Sequence, residues 1–255
     1  MSPEEVQYEL EQQFLRNSRP EALRPYTPAA TSAFTDLDPA PLNEDEALAL
    51  LERRDLSTEE IEQLSQNSGA MTSRRVRVAL AAHPHAPRHL ALRLLRQFYT
   101  FDLMQFALQP TPPPDLKRIA DEQLVARLAS ITLGERLTLA RRGSETVAAA
   151  LLLDKESRVS HTALENARLT ESAVIKSLMR PTAPAAFVED VCHHAKWSVR
   201  REIRMTLLRN PHTPLAKALE IARTLPPPLL RDILHASHLP EKTKAYVVNE
   251  LKQNH

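Results

Sequence analysis

The residues of this chain best suited to metal chemistry are four histidines in two close pairs. His85 and His89 stand four residues apart, a spacing that places two zinc ligands on one face of a helix. Pro87 lies between them and is typical of a helix start, so we expect His85 to lie in the preceding turn. His235 and His238 flank a second predicted helix boundary. Neither pair has the third and fourth ligands of a zinc motif, so the sequence predicts turn histidines and no metal site.

The segment VCHHAKW at 191–197 places a thiol beside two imidazoles. Adjacent residues on a helix point about 100° apart, so Cys192 and His193 do not face each other as a catalytic pair would. We predict that Cys192 is a buried structural cysteine. Because it is the only cysteine, it also excludes an intramolecular disulfide. Trp197, the only tryptophan, is predicted to anchor the packing at a junction between repeats.

Paired carboxylates and short motifs give no sign of catalysis. The neighbouring acids are predicted to occupy solvent-facing or first-turn positions, where they compensate the helix dipole. They are Glu59–Glu60, Asp121–Glu122 and Glu189–Asp190. The chain contains no GxSxG, SxxK, HExxH, GxGxxG or P-loop motif. The sequence therefore names no catalytic residue and no cofactor, which favours a non-enzymatic protein without deciding the question.

Two clusters of arginine are the best candidates for binding a partner. SRRVR at 73–77 and SVRREIR at 198–204 supply the six candidate residues Arg74, Arg75, Arg77, Arg200, Arg201 and Arg204. When the two segments are superposed, Arg74 coincides with Arg201 and Arg77 with Arg204. In one interpretation each arginine pairs with an acid of a neighbouring repeat. In the other they form a face for phosphate groups or an acidic protein segment, because guanidinium groups bind both anions.

The remaining arginines are spread along the chain. They include Arg209, Arg223 and Arg231. They can form a continuous stripe only if the fold brings them together, so the sequence does not assign them to a site.

All of these side chains must be positioned by short helices. Ala, Leu, Arg and Glu are plentiful, only 3 residues are Gly, and aromatic residues make up 4% of the chain, which favours helix over strand. After Ser73 a helix stop followed by a helix start recurs at intervals of roughly 10–15 residues, or two to four helical turns. No alternation of polar and apolar residues competes with this pattern. The sequence therefore predicts an all-α fold.

Three segments align with one another without gaps. They are VRVALAAHPHAPRHLALRLL (76–95), VSHTALENARLTESAVIKSL (159–178) and IRMTLLRNPHTPLAKALEIA (203–222). Each contains an apolar-striped helix, a polar residue at its end (His83, Asn166 or Asn210), a four-residue turn, and a second apolar-striped helix. A helix pair of this kind buries its stripe against the next pair, which predicts an α-solenoid.

The turn of this repeat contains a histidine in two copies, as HPHAP at 83–87 and NPHTP at 210–214. The first proline prevents the first helix from continuing, and the last proline opens the second helix. The third copy keeps the turn but has Arg168 where the other copies have His85 and His212. We therefore interpret these histidines as incidental occupants of a repeated turn rather than as ligands.

The C-terminal repeat resembles a known family. Its segment SVRREIRMTLLRNPHTPLAKAL is similar to the VR-x-x-[AL]-x-x-NP-x-x-P pattern of bacterial HEAT-like and leucine-rich-repeat-variant proteins. The likeness is carried by Val199, Arg200, Asn210, Pro211 and Pro214, with weaker matches at Val76, Arg77, Pro84 and Pro87. It implies a right-handed α-solenoid, a HEAT-like superhelix of short antiparallel helices, over roughly two thirds of the chain. Repeat-variant proteins can carry a cysteine-ligated iron–sulfur cluster, which a single cysteine cannot hold, so no cofactor is expected.

The chain is predicted to have two parts of different charge. Residues 1–42 contain one short helix followed by an extended Pro-rich linker or strap, and residues 43–255 form the solenoid. Within the solenoid, 43–70 is an acidic helical cap and 71–255 contains basic repeats. Residues 1–70 hold 5 Lys and Arg against 15 Asp and Glu, whereas the remainder holds 28 against 17. The basic part can attract an anionic partner, and the acidic part can lie against it.

The sequence shows no targeting or membrane signal. The N-terminal MSPEEVQYEL has early acids and no apolar core of a signal peptide. No apolar run reaches the ~20 residues that a membrane helix needs. We therefore expect a soluble cytoplasmic protein with no membrane contact.

Three functional hypotheses follow from these patterns. The first is a non-enzymatic interaction module or scaffold whose repeat face binds a protein or peptide. The second is a nucleic-acid-binding protein that uses the arginine-rich face and resembles the HEAT-like alkylpurine DNA glycosylases. In the third, the acidic first 70 residues mask the basic face and make binding switchable. The sequence leaves the partner and the oligomeric state open.

Overall fold

A computed structural model of the protein describes residues 42–253, with side chains described through residue 250. The described chain is helical throughout, with no strand among those residues, which confirms the predicted all-α class. The predicted N-terminal helix and Pro-rich strap fall in residues that lie outside this range. The first eight helices are α1 (Glu44–Leu51), α2 (Thr58–Gln66), α3 (Ser68–Thr72), α4 (Arg74–Ala82), α5 (Arg88–Leu95), α6 (Thr100–Leu108), α7 (Pro114–Arg127) and α8 (Leu133–Arg142). The next eight are α9 (Glu145–Leu151), α10 (Ser157–Leu164), α11 (Glu171–Leu178), α12 (Ala185–His193), α13 (Arg201–Leu207), α14 (Leu215–Ala222), α15 (Pro227–His235) and α16 (Glu241–Gln253).

Local sequence fixes where many of these helices begin. Asn43 caps α1 by accepting the N–H of Glu46 at 2.8 Å, and the Glu46 carboxylate accepts the N–H of Asn43 in return. The same capping box, in which a polar cap and a glutamate three residues later satisfy each other's N–H groups, opens α2 and α8. The other common start is a proline: α5, α12 and α14 follow directly after Pro87, Pro184 and Pro214.

The three aligned segments have matching environments in the structure. Their first apolar position is fully buried in every copy, as Val76, Val159 and Ile203. The next apolar position is also buried, as Leu80, Ala163 and Leu207. In the second helix, the matching residues Leu92, Ile175 and Leu219 are half-buried in all three copies. The aligned positions therefore experience the same packing, as a repeated helix pair requires.

Packing is between helices that are close in the chain. In the C-terminal half, α8 packs on α10, α10 on α12, α9 on α11, α11 on α13, and α14 on α16, so these helices contact the next but one. In the N-terminal half, α4 packs against α1, α3, α5 and α6, and α6 packs against α7. Contacts between alternate helices bring alternate turns of the chain close together.

A buried polar residue after the first helix of the repeat joins each turn to an earlier one. Asn166 donates its Nδ2 to the carbonyl oxygens of Ala140 (2.8 Å) and Gly143 (3.3 Å), and its Oδ1 accepts the N–H of Arg168 at 2.8 Å. Asn210 donates to the carbonyl of Leu178 at 2.8 Å. It also accepts the N–H of the residue two positions later, at 2.9 Å.

His83 performs the same function in the first copy. Its Nε2 lies 2.9 Å from the carbonyl oxygen of Arg53, and its Nδ1 accepts the N–H of His85 at 3.2 Å. Asparagine and a histidine protonated on Nε2 both offer an acceptor on one side and a donor on the other. This shared chemistry explains why both residue types occupy one aligned position.

Two rows of turns result in the C-terminal half. We call the first edge the row formed by the turns after α10, α12 and α14. The indole N–H of Trp197 donates to the carbonyl of Leu164 at 3.0 Å across this edge, and Arg204 donates to Thr224 Oγ1 at 3.0 Å. Trp197 is also buried, so its predicted role as a packing anchor agrees with the structure.

The second edge is the row formed by the turns after α11, α13 and α15. Asn210 joins the second of these turns to Leu178 at the start of the first. The N–H of His238 donates to the carbonyl oxygen of Arg209 at 3.0 Å and joins the third turn to the second. Three consecutive turns are thus held together by direct hydrogen bonds.

Among the described residues, no helix is both long and apolar enough to cross a membrane.

Candidate binding surfaces

Four of the six predicted arginines are engaged with side chains of the chain itself. The Arg75 guanidinium lies 2.9 Å from Glu44 Oε1, and that of Arg200 lies 3.8 Å from Glu171 Oε2. Both partners belong to a helix about 30 residues earlier in the chain. These two pairs therefore match the first interpretation of the clusters, in which each arginine pairs with an acid of a neighbouring repeat. Arg204 donates to a threonine hydroxyl on the first edge.

Arg74 lies against an exposed aromatic ring. Its guanidinium carbon is 4.2 Å from the centroid of the Tyr99 ring, a cation–π geometry. Tyr99 is 58% exposed, and Phe101, two residues later, is 44% exposed. Arg74 and Tyr99 therefore form a patch in which a cation lies against an accessible aromatic face.

The side chains of Arg77 and Arg201 have no hydrogen-bonding or ionic partner within residues 42–250. Arg201 is exposed, whereas Arg77 is half-buried and its Nε is shielded from solvent without a hydrogen bond. The aligned residue Arg204 has the same shielded Nε. The helices that pack on α4 are different from those that pack on α13, so the packing does not join the two predicted clusters into one surface.

The second edge contains a groove of about 440 Å³, which we call the turn groove. Its lining includes four basic or titratable side chains from three turns, together with exposed apolar groups. These residues are Arg180, Arg209, His212, His238, Met179 and Pro211. No carboxylate of the described residues lines this groove. The arrangement can bind an anion.

A second and larger groove of about 910 Å³ lies between α14, α15 and α16, and we call it the helix groove. Its apolar lining includes Leu230, Leu234 and Val248. Three cations stand around it, Arg223, Arg231 and Lys244, while Glu241 is the one carboxylate among the described residues in its lining. Arg223 pairs with Glu250 at 3.3 Å and Lys244 with Glu241 at 2.9 Å. Arg231 is exposed, and its side chain has no hydrogen-bonding or ionic partner in the described part of the chain.

The cysteine is unsuited to nucleophilic chemistry. Cys192 is buried in α12, as predicted, and burial raises the pKa of its thiol to about 11. The thiolate, which is the nucleophilic form, is therefore disfavoured at neutral pH. His193 turns away and lies 2.9 Å from the carbonyl oxygen of Glu189. No group of three or more His, Cys, Asp or Glu side chains suited to a metal ion occurs in residues 42–250.

One acidic residue differs from its prediction. Asp121 does not face solvent but is buried in α7, because α7 packs against α9 and places this position between them. Its Oδ1 accepts a hydrogen bond from Ser144 Oγ at 2.7 Å. Burial raises the pKa of Asp121, and the hydrogen bonds from Ser144 and Thr146 oppose that rise. Its neighbour Glu122 is exposed and pairs with Arg118.

Comparison of the chain with models of known protein families, with curated proteins and with solved structures finds no match.

The two grooves contain residues that the sequence did not assign to a site. Arg209, Arg223 and Arg231 belong to the arginines that appeared scattered, and the fold brings Arg209 to the turn groove and the other two to the helix groove. A usable signal was present for the turn groove. Every second predicted helix boundary in this part of the chain contains a basic residue beside a proline or in the turn. These boundaries are RPTAP (180–184), NPHTP (210–214) and SHLP (237–240). Successive turns on one edge would then cluster these residues.

Proposed function

We propose that this chain is a non-enzymatic interaction module, a right-handed HEAT-like α-solenoid that binds a protein partner in its helix groove. The solenoid is supported by the packing of helices α8 to α11 each on the next but one. It is also supported by the equivalent hydrogen bonds of His83, Asn166 and Asn210, each of which joins its turn to an earlier part of the chain. Such arrays act by presenting an extended surface to a partner.

The observation that carries the proposal is the composition of the helix groove. Its floor is formed by leucine side chains of α15, and the adjoining Val248 of α16 is 38% exposed. An amphipathic helix can place its apolar stripe in such a groove. Arg223 and Lys244 are each paired with a glutamate, which leaves Arg231 as the lining cation without an ion-pair partner in residues 42–250, so the groove suits a helix that carries an acidic residue beside its stripe. We therefore commit to an acidic amphipathic helix of a partner protein as the occupant.

A peptide selection tests this function. The full chain is used to select from a phage-displayed library of randomised amphipathic peptides, and the enriched peptides are synthesised and titrated. We expect enriched sequences to combine an apolar stripe with Asp or Glu. Binding should weaken at least about tenfold in Arg231→Glu and in Val248→Glu, because the first change reverses a rim charge and the second places a carboxylate among apolar groups.

The matched control is Arg158→Glu, which makes the same change at an exposed arginine far along the chain from the groove. It should bind the selected peptides like the unaltered protein. Selected peptides that bind both groove variants normally, or that have no acidic residues, would show that this groove is not the protein-binding site.

A second candidate function is nucleic-acid binding, and the patch of Arg74 and Tyr99 favours it. Exposed aromatic rings can stack on bases while a guanidinium contacts the backbone. A labelled single-stranded oligonucleotide titrated at increasing salt distinguishes this candidate. Binding that weakens steeply with salt and is lost in Tyr99→Ala would support it, and no binding at low salt would remove it.

A further inference from the structure

The basic side chains that line the turn groove have no hydrogen-bonding or ionic partner among the described residues. Basic side chains at one aligned position of other turns are engaged. His212 lies two residues after Asn210 in its turn, and the aligned residues of the other two repeat copies are His85 and Arg168. In the turn after α12, the residue two positions after His194 is Lys196. Each of these is engaged elsewhere. His85 Nδ1 lies 2.8 Å from the carbonyl oxygen of Leu56, and Arg168 donates to the carbonyl of Arg142 at 3.3 Å.

Lys196 is engaged in another way, because its Nζ lies 4.0 Å from the centroid of the Trp197 ring. By contrast, the side chains of Arg180, Arg209, His212 and His238 make no hydrogen bond or ion pair with any residue in the range 42–250. All four are exposed and line the same groove. On the second edge, therefore, four basic side chains without a partner line one groove.

The groove is also fixed in shape. Asn210 holds the first turn to the second through the carbonyl of Leu178, and the His238 N–H holds the third turn to the second through the carbonyl of Arg209. The prolines Pro181 and Pro211 restrict the backbone beside the basic side chains. A preorganised set of donors loses less entropy when it binds a ligand than a flexible set would.

The chemistry of the lining selects the ligand. Two arginines and two histidines that converge on one groove of about 440 Å³ without a carboxylate suit one multiply charged anion better than separated carboxylates. A phosphorylated side chain carries a charge near −2 and three acceptor oxygens, which arginines bind in bidentate fashion. No Phe, Tyr or Trp ring lies among its described lining residues, so a base would find only the smaller imidazole rings, and the groove favours a protein phosphate over a nucleotide.

We infer that the turn groove is a binding site for a phosphoserine or phosphothreonine side chain of a partner protein, held by Arg180 and Arg209 with His212 and His238 as further donors. Met179, which is 70% exposed at this groove, supplies an apolar contact for the residue beside the phosphate. This site extends the proposed function to a second surface. It does not require the helix groove, so either proposal can fail without the other.

The test uses the full chain and a fluorescein-labelled, alanine-rich peptide with one central phosphoserine. Its serine and glutamate counterparts, a single-stranded oligonucleotide and inorganic phosphate are the comparison probes. Anisotropy should show the phosphopeptide binding at least about tenfold more tightly than the serine peptide, since the serine hydroxyl cannot form charge-assisted hydrogen bonds with the arginines. The double variant Arg180→Gln/Arg209→Gln should lose this preference.

Arg158→Gln is the matched control, and it should keep the preference because Arg158 is not part of the groove. The double variant should unfold at the same denaturant concentration as the unaltered protein, since neither arginine has a described side-chain partner to lose. Equal binding of the phosphoserine and serine peptides would overturn the inference, as would a preference that survives in the double variant. Tighter binding of the oligonucleotide than of the phosphopeptide, if it is lost in the double variant, would assign the groove to nucleic acid. Binding of inorganic phosphate as tight as that of the phosphopeptide would refute a protein segment as the ligand.

Discussion

Asn210 donates a hydrogen bond from its Nδ2 to the backbone carbonyl oxygen of Leu178, which lies 2.8 Å away and 32 residues earlier in the chain. The same side chain accepts the N–H of His212 and so fixes the local turn as well. One buried amide therefore sets both the shape of a turn and its register against the preceding turn of the second edge. This contact joins two of the turns that line the turn groove. The same hydrogen bond therefore contributes to the stability of the fold and to the shape of the groove.

Replacing Asn210 with alanine should destabilise the protein by about 1–3 kcal/mol, because a buried carbonyl and a buried N–H lose their partners. The measurement is urea unfolding followed by circular dichroism. Asn210→His should lose less than Asn210→Ala, since His83 makes the same two contacts at the aligned position. Asn249→Ala, at an exposed asparagine, is the control and should change stability little. Equal losses for the histidine and alanine variants would contradict the equivalence of these positions.

Trp197→Phe should destabilise the chain by about 1–3 kcal/mol. The change keeps an aromatic ring in a buried site but removes the indole N–H that donates to the carbonyl of Leu164. Trp197→Ala should cost more, about 3–5 kcal/mol, because it also leaves a cavity. Thermal unfolding of the two variants provides the comparison. If Trp197→Phe were as stable as the unaltered protein, the hydrogen bond would have no role in joining the turns.

Asp121 should make stability depend on pH in the acidic range. Its pKa is raised in the folded state, so the folded chain holds this proton more tightly than the unfolded chain. The resulting contribution to stability is present below the unfolded pKa of about 3.9 and is lost as pH rises through the folded pKa. Asp121→Asn does not titrate, so its stability relative to the unaltered protein should increase with pH across that interval.

Urea unfolding of the unaltered protein and of Asp121→Asn from about pH 4 to pH 7 measures this difference. Glu122→Gln is the control, because it neutralises an exposed carboxylate on the adjacent residue. If the free energies of unfolding of Asp121→Asn and the unaltered protein differ by a constant amount over the whole pH interval, then Asp121 has no raised pKa.

Cys192 should react slowly with a thiol reagent in the folded protein. Its thiol is buried and its pKa is raised to about 11, so little reactive thiolate is available. Addition of DTNB at pH 8 should give slow colour development that becomes rapid when urea unfolds the chain. Rapid modification of the folded protein would contradict the buried structural role.

The helical class and the repeated turn could be predicted from the sequence, because both depend on local chemistry. Prolines and capping residues stand directly before many of the helices and mark where those helices begin. The apolar stripe of each segment indicates which side of the helix is buried. The burial of Val76, Val159 and Ile203 at one aligned position agrees with that reasoning. The histidine–asparagine equivalence could also be noticed from the alignment, but its cause required the position of the carbonyl that each side chain contacts.

The two grooves could not be predicted, because they depend on which turns become neighbours in space. Arg180 and Arg209 are 29 residues apart in the chain and come from turns that alternate with turns of the opposite edge. Conversely, the arginines that cluster in the sequence include Arg75 and Arg200, which are paired with acids of earlier helices. Clustering along the chain was therefore a poor guide to which cations remain free.

The most direct test of the proposed function is site-specific photo-crosslinking of a selected acidic amphipathic peptide. p-Benzoylphenylalanine is introduced at Val248, in the helix groove, or at Arg158 as the control position, and the peptide adduct is quantified by mass spectrometry after irradiation. The proposal predicts a strong adduct from position 248, its loss when Arg231→Glu is added, and little adduct from position 158. Equal adducts from both positions, or an adduct at 248 that is unaffected by Arg231→Glu, would contradict binding in the helix groove.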